Sequence, residues 1–102
     1  MCGIAGIFNL NSSPASRAII EAMTAQIGHR GPDGEGYYVK DNIALGHRRL
    51  AILDTSSSGS QPMESNNGEW MVIFNGCIYN YREIKAELIS KGHTFQRMTL
   101  AD

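Results

Sequence analysis

Four apolar runs of strand length, residues 37–40, 43–47, 49–53 and 70–74, stand in the chain with only turn and loop residues between them. Asp41 and Asn42 turn the first run into the second. Asn67-Gly68, ahead of the fourth, is a tight-turn pair. No helical pattern separates these runs, so the strands cluster instead of alternating with helices. That arrangement favours an α+β fold with largely antiparallel pairing. The runs read as apolar on both sides, which asks for helices or a second sheet over both faces.

Two helices flank the cluster, and residues 3–9 read as a further buried strand. In the first helix, Ser13 is expected to cap and Pro14 to take the first helical position. Ile19, Met23 and Ile27, with Ile20 beside them, make one apolar face, and Gly28 is a stop signal. In the second, Asn80 with Glu83 three residues later resembles a capping box. Ile84 and Leu88 supply its face and Gly92 its end. His29-Arg30-Gly31-Pro32-Asp33-Gly34-Glu35-Gly36 holds three glycines and a proline and reads as a loop.

A chain of 102 residues suffices for one small domain with one core. A net charge of −1 without a basic block argues against nucleic acid or an anionic membrane as the main partner. No apolar run approaches a membrane span, and the N-terminus lacks the features of a signal peptide. Two cysteines, Cys2 and Cys77, make no disulfide framework, so the expected compartment is the cytoplasm. His29, His47 and His93 lack the spacing of a metal site, and no metal is expected.

Cys2 sits behind a methionine that processing can remove. With Met1 gone, one residue carries both a thiol and a free α-amine, a nucleophile with its own base. An α-amine has a pKa of about 7.7–8.0 against about 10.4 for lysine, so near neutrality its unprotonated fraction is roughly 300-fold larger. It can take the thiol proton and later hand a proton to a leaving amine. The alternative is a small buried cysteine in an N-terminal strand.

Four stretches then line up: Cys2-Gly3-Ile4-Ala5-Gly6, His29-Arg30-Gly31-Pro32-Asp33-Gly34, Leu45-Gly46-His47-Arg48-Arg49-Leu50-Ala51-Ile52-Leu53-Asp54, and Phe74-Asn75-Gly76-Cys77-Ile78-Tyr79-Asn80-Tyr81. In this order and spacing they resemble the glutamine-hydrolysing domain of the asparagine synthetases, among the class II glutamine amidotransferases, which are N-terminal-nucleophile hydrolases. The resemblance runs to about Phe95. It implies an αββα sandwich, of which residues 1–102 supply roughly the first half. The synthetase domain, with its ATP and magnesium, is expected to be absent, and no cofactor is expected in this chain.

The resemblance also implies roles. Cys2 is the nucleophile, and the Asn75 side-chain amide with the Gly76 N–H forms the oxyanion hole. Arg49 takes the glutamine α-carboxylate, for which a planar guanidinium offers two parallel hydrogen bonds. Leu50, Ala51, Ile52 and Leu53 line the pocket through their backbone. Read alone, Asn75-Gly76 is more commonly an ordinary hairpin turn, and the 30–33 loop either shapes the pocket edge or is a rigid surface turn. Arg48 is the better candidate for a solvated charge. Two departures stand out. Cys77 occupies the place of a family glutamate that helps hold the substrate ammonium, and a thiol cannot supply that charge. The family also has an Asp shortly after the position of Phe95, and Asp102 is two places late for it. The expected function is glutamine amide hydrolysis through a Cys2 thioester, with L-glutamine and an aspartate-activating synthetase domain as partners. The alternative is a non-catalytic truncated remnant or an interaction module.

Overall fold

The structure is a computed structural model, and it describes residues 2–50 and 60–94. Strands β1 (Gly3–Phe8), β2 (Gly34–Lys40) and β3 (Ile43–Arg49) form an antiparallel sheet in the order β1-β3-β2. The β2–β3 hairpin turns where expected, and Asp41 takes a φ of 52° to make it. Its strands outrun the apolar runs at one end: Gly34, counted in a loop by composition, pairs with Arg49. At the turn end, Asn9 N–H donates to the Asn42 carbonyl at 2.9 Å, and the Asn42 side chain returns a 2.9 Å bond to the Asn9 carbonyl. This reciprocal pair locks the β1–β3 register, in which Gly3 faces Arg48 and Ile4 faces His47.

Helix α1 (Arg17–Gln26) covers one face of the sheet. Its N-cap is Ser16, not Ser13, with the hydroxyl accepting the Ile19 N–H at 3.2 Å. The Asn9 side chain donates to the Ser13 and Pro14 carbonyls at 3.0 and 3.3 Å, which holds those residues in the connection. The buried residues are Ile20 and Thr24, whereas Ile19 and Met23 lie largely in solvent. The apolar period therefore misplaces the face by one residue, because Thr24 hides its polarity by donating to the Ile20 carbonyl at 2.7 Å. The α-helix ends as expected, with its C-cap at Ile27 directly before Gly28, and a 3-10 turn follows over Gly28–Arg30. Ile20, Ala15 and Ala44 form the core, with Ala5, Ile7, Tyr37 and Val39 packed against them.

A second, two-stranded sheet pairs β4 (Met63–Glu64) with β5 (Met71–Val72) across a turn in which Gly68 has a φ of 74°. Most of the expected 70–74 strand is not strand: the ladder stops at Val72. Helix α2 (Tyr81–Ser90) begins at Asn80 as expected, but the Asn80 side chain makes no capping bond. None of its residues, Ile84 and Leu88 included, is buried. Asn66 ties this region to the second sheet by donating to the Thr94 carbonyl at 2.8 Å. The chain is thus α+β with antiparallel pairing. The expectation that both strand faces are covered holds only in part opposite α1: His47 and Arg49 are buried there, but Ile4 (47 %) and Phe8 (64 %) remain exposed. Of the expected 49–53 strand, Arg49 ends β3, and Ala51, Ile52 and Leu53 lie outside the described residues.

Candidate active site

Strand alternation sorts the site. Gly3, Gly46 and Arg48 belong to the α1 face, as their contacts with Ile27, Thr24 and Gly28 record. His47, Arg49 and Gly36 belong to the other face. One step before the Gly3–Arg48 pair, Cys2 meets the end of β3. The Leu50 N–H donates to Cys2 Sγ at 3.4 Å, and Sγ lies 3.8 Å from the Leu50 carbonyl oxygen. Cys2 is 4 % exposed. Arg30 Nε donates to the Cys2 carbonyl at 3.1 Å, so the 30–33 loop grips the nucleophile candidate's main chain.

Arg49 is buried, at 6 % exposure, and is no solvated strand-end charge. Arg48 is not one either. Its Nη1 pairs with Glu35 Oε2 at 2.7 Å and its Nε donates to the Gly31 carbonyl at 3.0 Å. It fastens the 3-10 turn and the following loop to the hairpin. Arg49 borders a cavity of about 50 Å³ together with Asp33, Gly34, Glu35, His47, Ser60 and Gln61. That is room for a few water-sized groups.

His47 is 1 % exposed, and its Nε2 has no hydrogen-bond partner among the described residues. Burial pushes its pKa below the ordinary value, a hydrogen bond to the Phe74 main chain opposes this, and the Arg49 charge adds to the lowering. The imidazole is therefore biased to its neutral form. Nothing in the sequence marks His47 or Gln61 for a role: His47 stands beside two arginines in one motif, and Gln61 sits in a polar stretch with no periodicity.

Asn75, Gly76 and Cys77 are half-buried in the non-strand segment after β5. Just before them, the Phe74 N–H donates to Gln61 Oε1 at 2.6 Å. Cys2 and Cys77 are not joined in a disulfide. Among the described residues no three His, Cys, Asp or Glu side chains gather to hold a metal ion, and no helix is long and apolar enough to cross a membrane.

The glutamine amidotransferase domain family matches residues 1–101. The chain belongs to that family. This amidotransferase domain is 42 % identical over 98 residues to the glutamine-hydrolysing asparagine synthetase 1 of Bacillus subtilis, covering 93 % of this chain and 15 % of the relative. It is 40 % identical over 97 residues to the maize enzyme of that name, covering 94 % and 16 %. Over 103 residues it is 34 % identical to asparagine synthetase B of Escherichia coli, covering 100 % and 18 %. The chain thus spans less than a fifth of the length of these relatives.

Proposed function

We propose that the chain carries the nucleophile half of a glutamine-hydrolysing site. Cys2 attacks the side-chain amide carbon of L-glutamine, ammonia leaves, and water hydrolyses the γ-glutamyl thioester. The observation that carries this is the meeting of Cys2 with the Arg49–Leu50 end of β3, at 3.4 Å from sulfur to the Leu50 nitrogen. A buried arginine beside a small cavity suits the α-carboxylate, with the reactive amide reaching toward Cys2. The Asn75 side chain and Gly76 N–H receive the developing oxyanion, a contribution of about 3–4 kcal/mol per donor in such sites. Leu50, Ala51, Ile52 and Leu53 offer backbone groups to the substrate, and Cys77 stands at its ammonium end. The sandwich is the N-terminal-nucleophile αββα type. The ammonia goes to an aspartate-activating synthetase domain, where ATP and magnesium belong, and the setting is the reducing cytoplasm.

Removal of Met1 frees the α-amine that serves as base. The test combines intact mass with an ammonia-release assay on L-glutamine. Protein beginning at Cys2 releases ammonia, and Cys2→Ala abolishes the release. Hydrolysis by a homogeneous Met1-retaining sample overturns the built-in base, and hydrolysis by Cys2→Ala overturns the thioester.

The exposed Ile4 and Phe8 and the unburied α2 favour a second reading, a non-catalytic remnant or interaction module. A monodisperse sample with a cooperative melt argues for the working domain. Aggregation with a broad melt argues for the second reading.

A further inference from the structure

We propose that Gln61 is a positioning residue for amide hydrolysis, which holds the 74–76 main chain in place above the sheet that carries Cys2. The inference rests on the reading of Asn75 and Gly76 as oxyanion donors.

The need for a hold is visible in the second sheet. Its ladder has two pairs, Met63 with Val72 and Glu64 with Met71, and ends there. Everything from Ile73 to Asn80 lies outside any strand or helix. The Phe74 N–H, two residues past the ladder, would be a half-buried donor without a strand partner. Gln61 supplies the acceptor at 2.6 Å, and it is itself 8 % exposed. A short bond in a water-poor setting restricts its partner more than an exposed one does.

Both ends of this tie are anchored. On the sheet side, the Gln61 main chain lies directly on Gly36. A Cβ at Gly36 would run into the Gln61 carbonyl oxygen and stand 3.0 Å from its carbon. Gly36 pairs with His47, and His47 with Ile4, so the contact sits at one register level of the sheet that ends in Cys2. On the far side, the Phe74 ring covers Gly76, where an added Cβ would stand 2.8 Å from Phe74 Cζ. Contacts therefore run without a gap from β2 through Gln61 and Phe74 to Gly76. Oxyanion donors act only when held within a fraction of an ångström of the developing charge. A residue that fixes the height of Phe74 fixes the height of Gly76.

The experiment compares Gln61→Met, which keeps length and removes the acceptor, with Gln61→Glu, which keeps an acceptor oxygen. Two readouts are taken on the protein that begins at Cys2: glutamine-hydrolysis kinetics, and amide hydrogen exchange at Phe74. Gln61→Met is expected to lower kcat by 10- to 100-fold, on the order of an oxyanion donor displaced but not deleted. KM should change less than kcat: Gln61 also lines the Arg49 cavity, but the charge that grips the carboxylate is on β3 and is kept in the variant. Phe74 exchange should speed up at least about tenfold while the β1–β3 amides keep their rates. Gln61→Glu should recover most of both effects. A purely structural role would instead raise exchange throughout β1–β3, and it would overturn the proposal. So would Phe74 exchange that does not change in Gln61→Met, or a KM effect with kcat intact. If Gln61→Met does not fold, Gln61→Glu decides: retained Phe74 protection and kcat support the proposal, and their loss in a folded chain overturns it. A parent protein that releases no ammonia removes the glutaminase reading and this inference together. Unchanged Phe74 exchange in an active parent removes this inference alone.

Discussion

Arg48 and Arg49 leave β3 on opposite faces, and their surroundings give the two side chains different work. Arg48 binds Glu35 and the Gly31 carbonyl and stiffens the loop that reaches Cys2. Arg49 is buried beside the cavity on the other face. The use of Arg48 is not legible in the sequence, because the bond to Gly31 depends on a turn whose path composition does not reveal. The resemblance puts Cys77 where the family usually has a glutamate. Under the proposed function, a thiol there would forgo a charge-assisted hydrogen bond to the substrate ammonium, which is typically worth about 1.5–3 kcal/mol. In a glutamine-hydrolysing form of the protein, Cys77→Glu is expected to lower KM about tenfold or more, with a smaller rise in kcat. An unchanged KM in steady-state kinetics would move the ammonium subsite elsewhere.

At the scale of elements, the strands were more legible than the helices. The β2–β3 hairpin announces itself by two apolar runs around Asp41 and Asn42, and pairing then extends it to Arg49. The start of α1 was misread because three serines, Ser12, Ser13 and Ser16, compete for the cap. The winner depends on Asn9, which reaches across the connection to the Ser13 and Pro14 carbonyls. Such a long-range bond leaves no local signature. If Ser16 is the working cap, Ser16→Ala should cost about 1 kcal/mol, read as a lower melting temperature, while Ser13→Ala should cost little. Equal effects of the two would contradict the assigned cap. The capping box at Asn80 and Glu83 failed differently: the helix forms, but the Asn80 side chain does not bond back. Below the level of any pattern lies the segment after β5, where apolar character promised a strand and the ladder stops two residues in.

For the whole molecule, stability should follow the protonation of His47. Burial lowers its pKa in the folded state relative to the ordinary 6.5 of the unfolded chain. Between the two values the unfolded state binds more protons, so stability rises with pH there. The contribution is fully present above about pH 6.5 and is lost as the pH falls from there toward the folded-state pKa. Melting temperatures measured from pH 7.5 to 5.5 should fall on the acid side, and His47→Gln should flatten that fall. An unaltered slope in the variant would assign the effect to other groups. The reciprocal Asn9–Asn42 bonds bear on how such a protein matures. They clamp β1 at the end remote from the thiol, so the position of Cys2 is counted backward from Asn9 and not forward from the chain start. A leader residue can come or go without shifting that count. In the proposed maturation, aminopeptidase trimming would work like drawing a sheath from a blade already set in its handle: the thiol would stay where the sheet put it, and only the amine would be new.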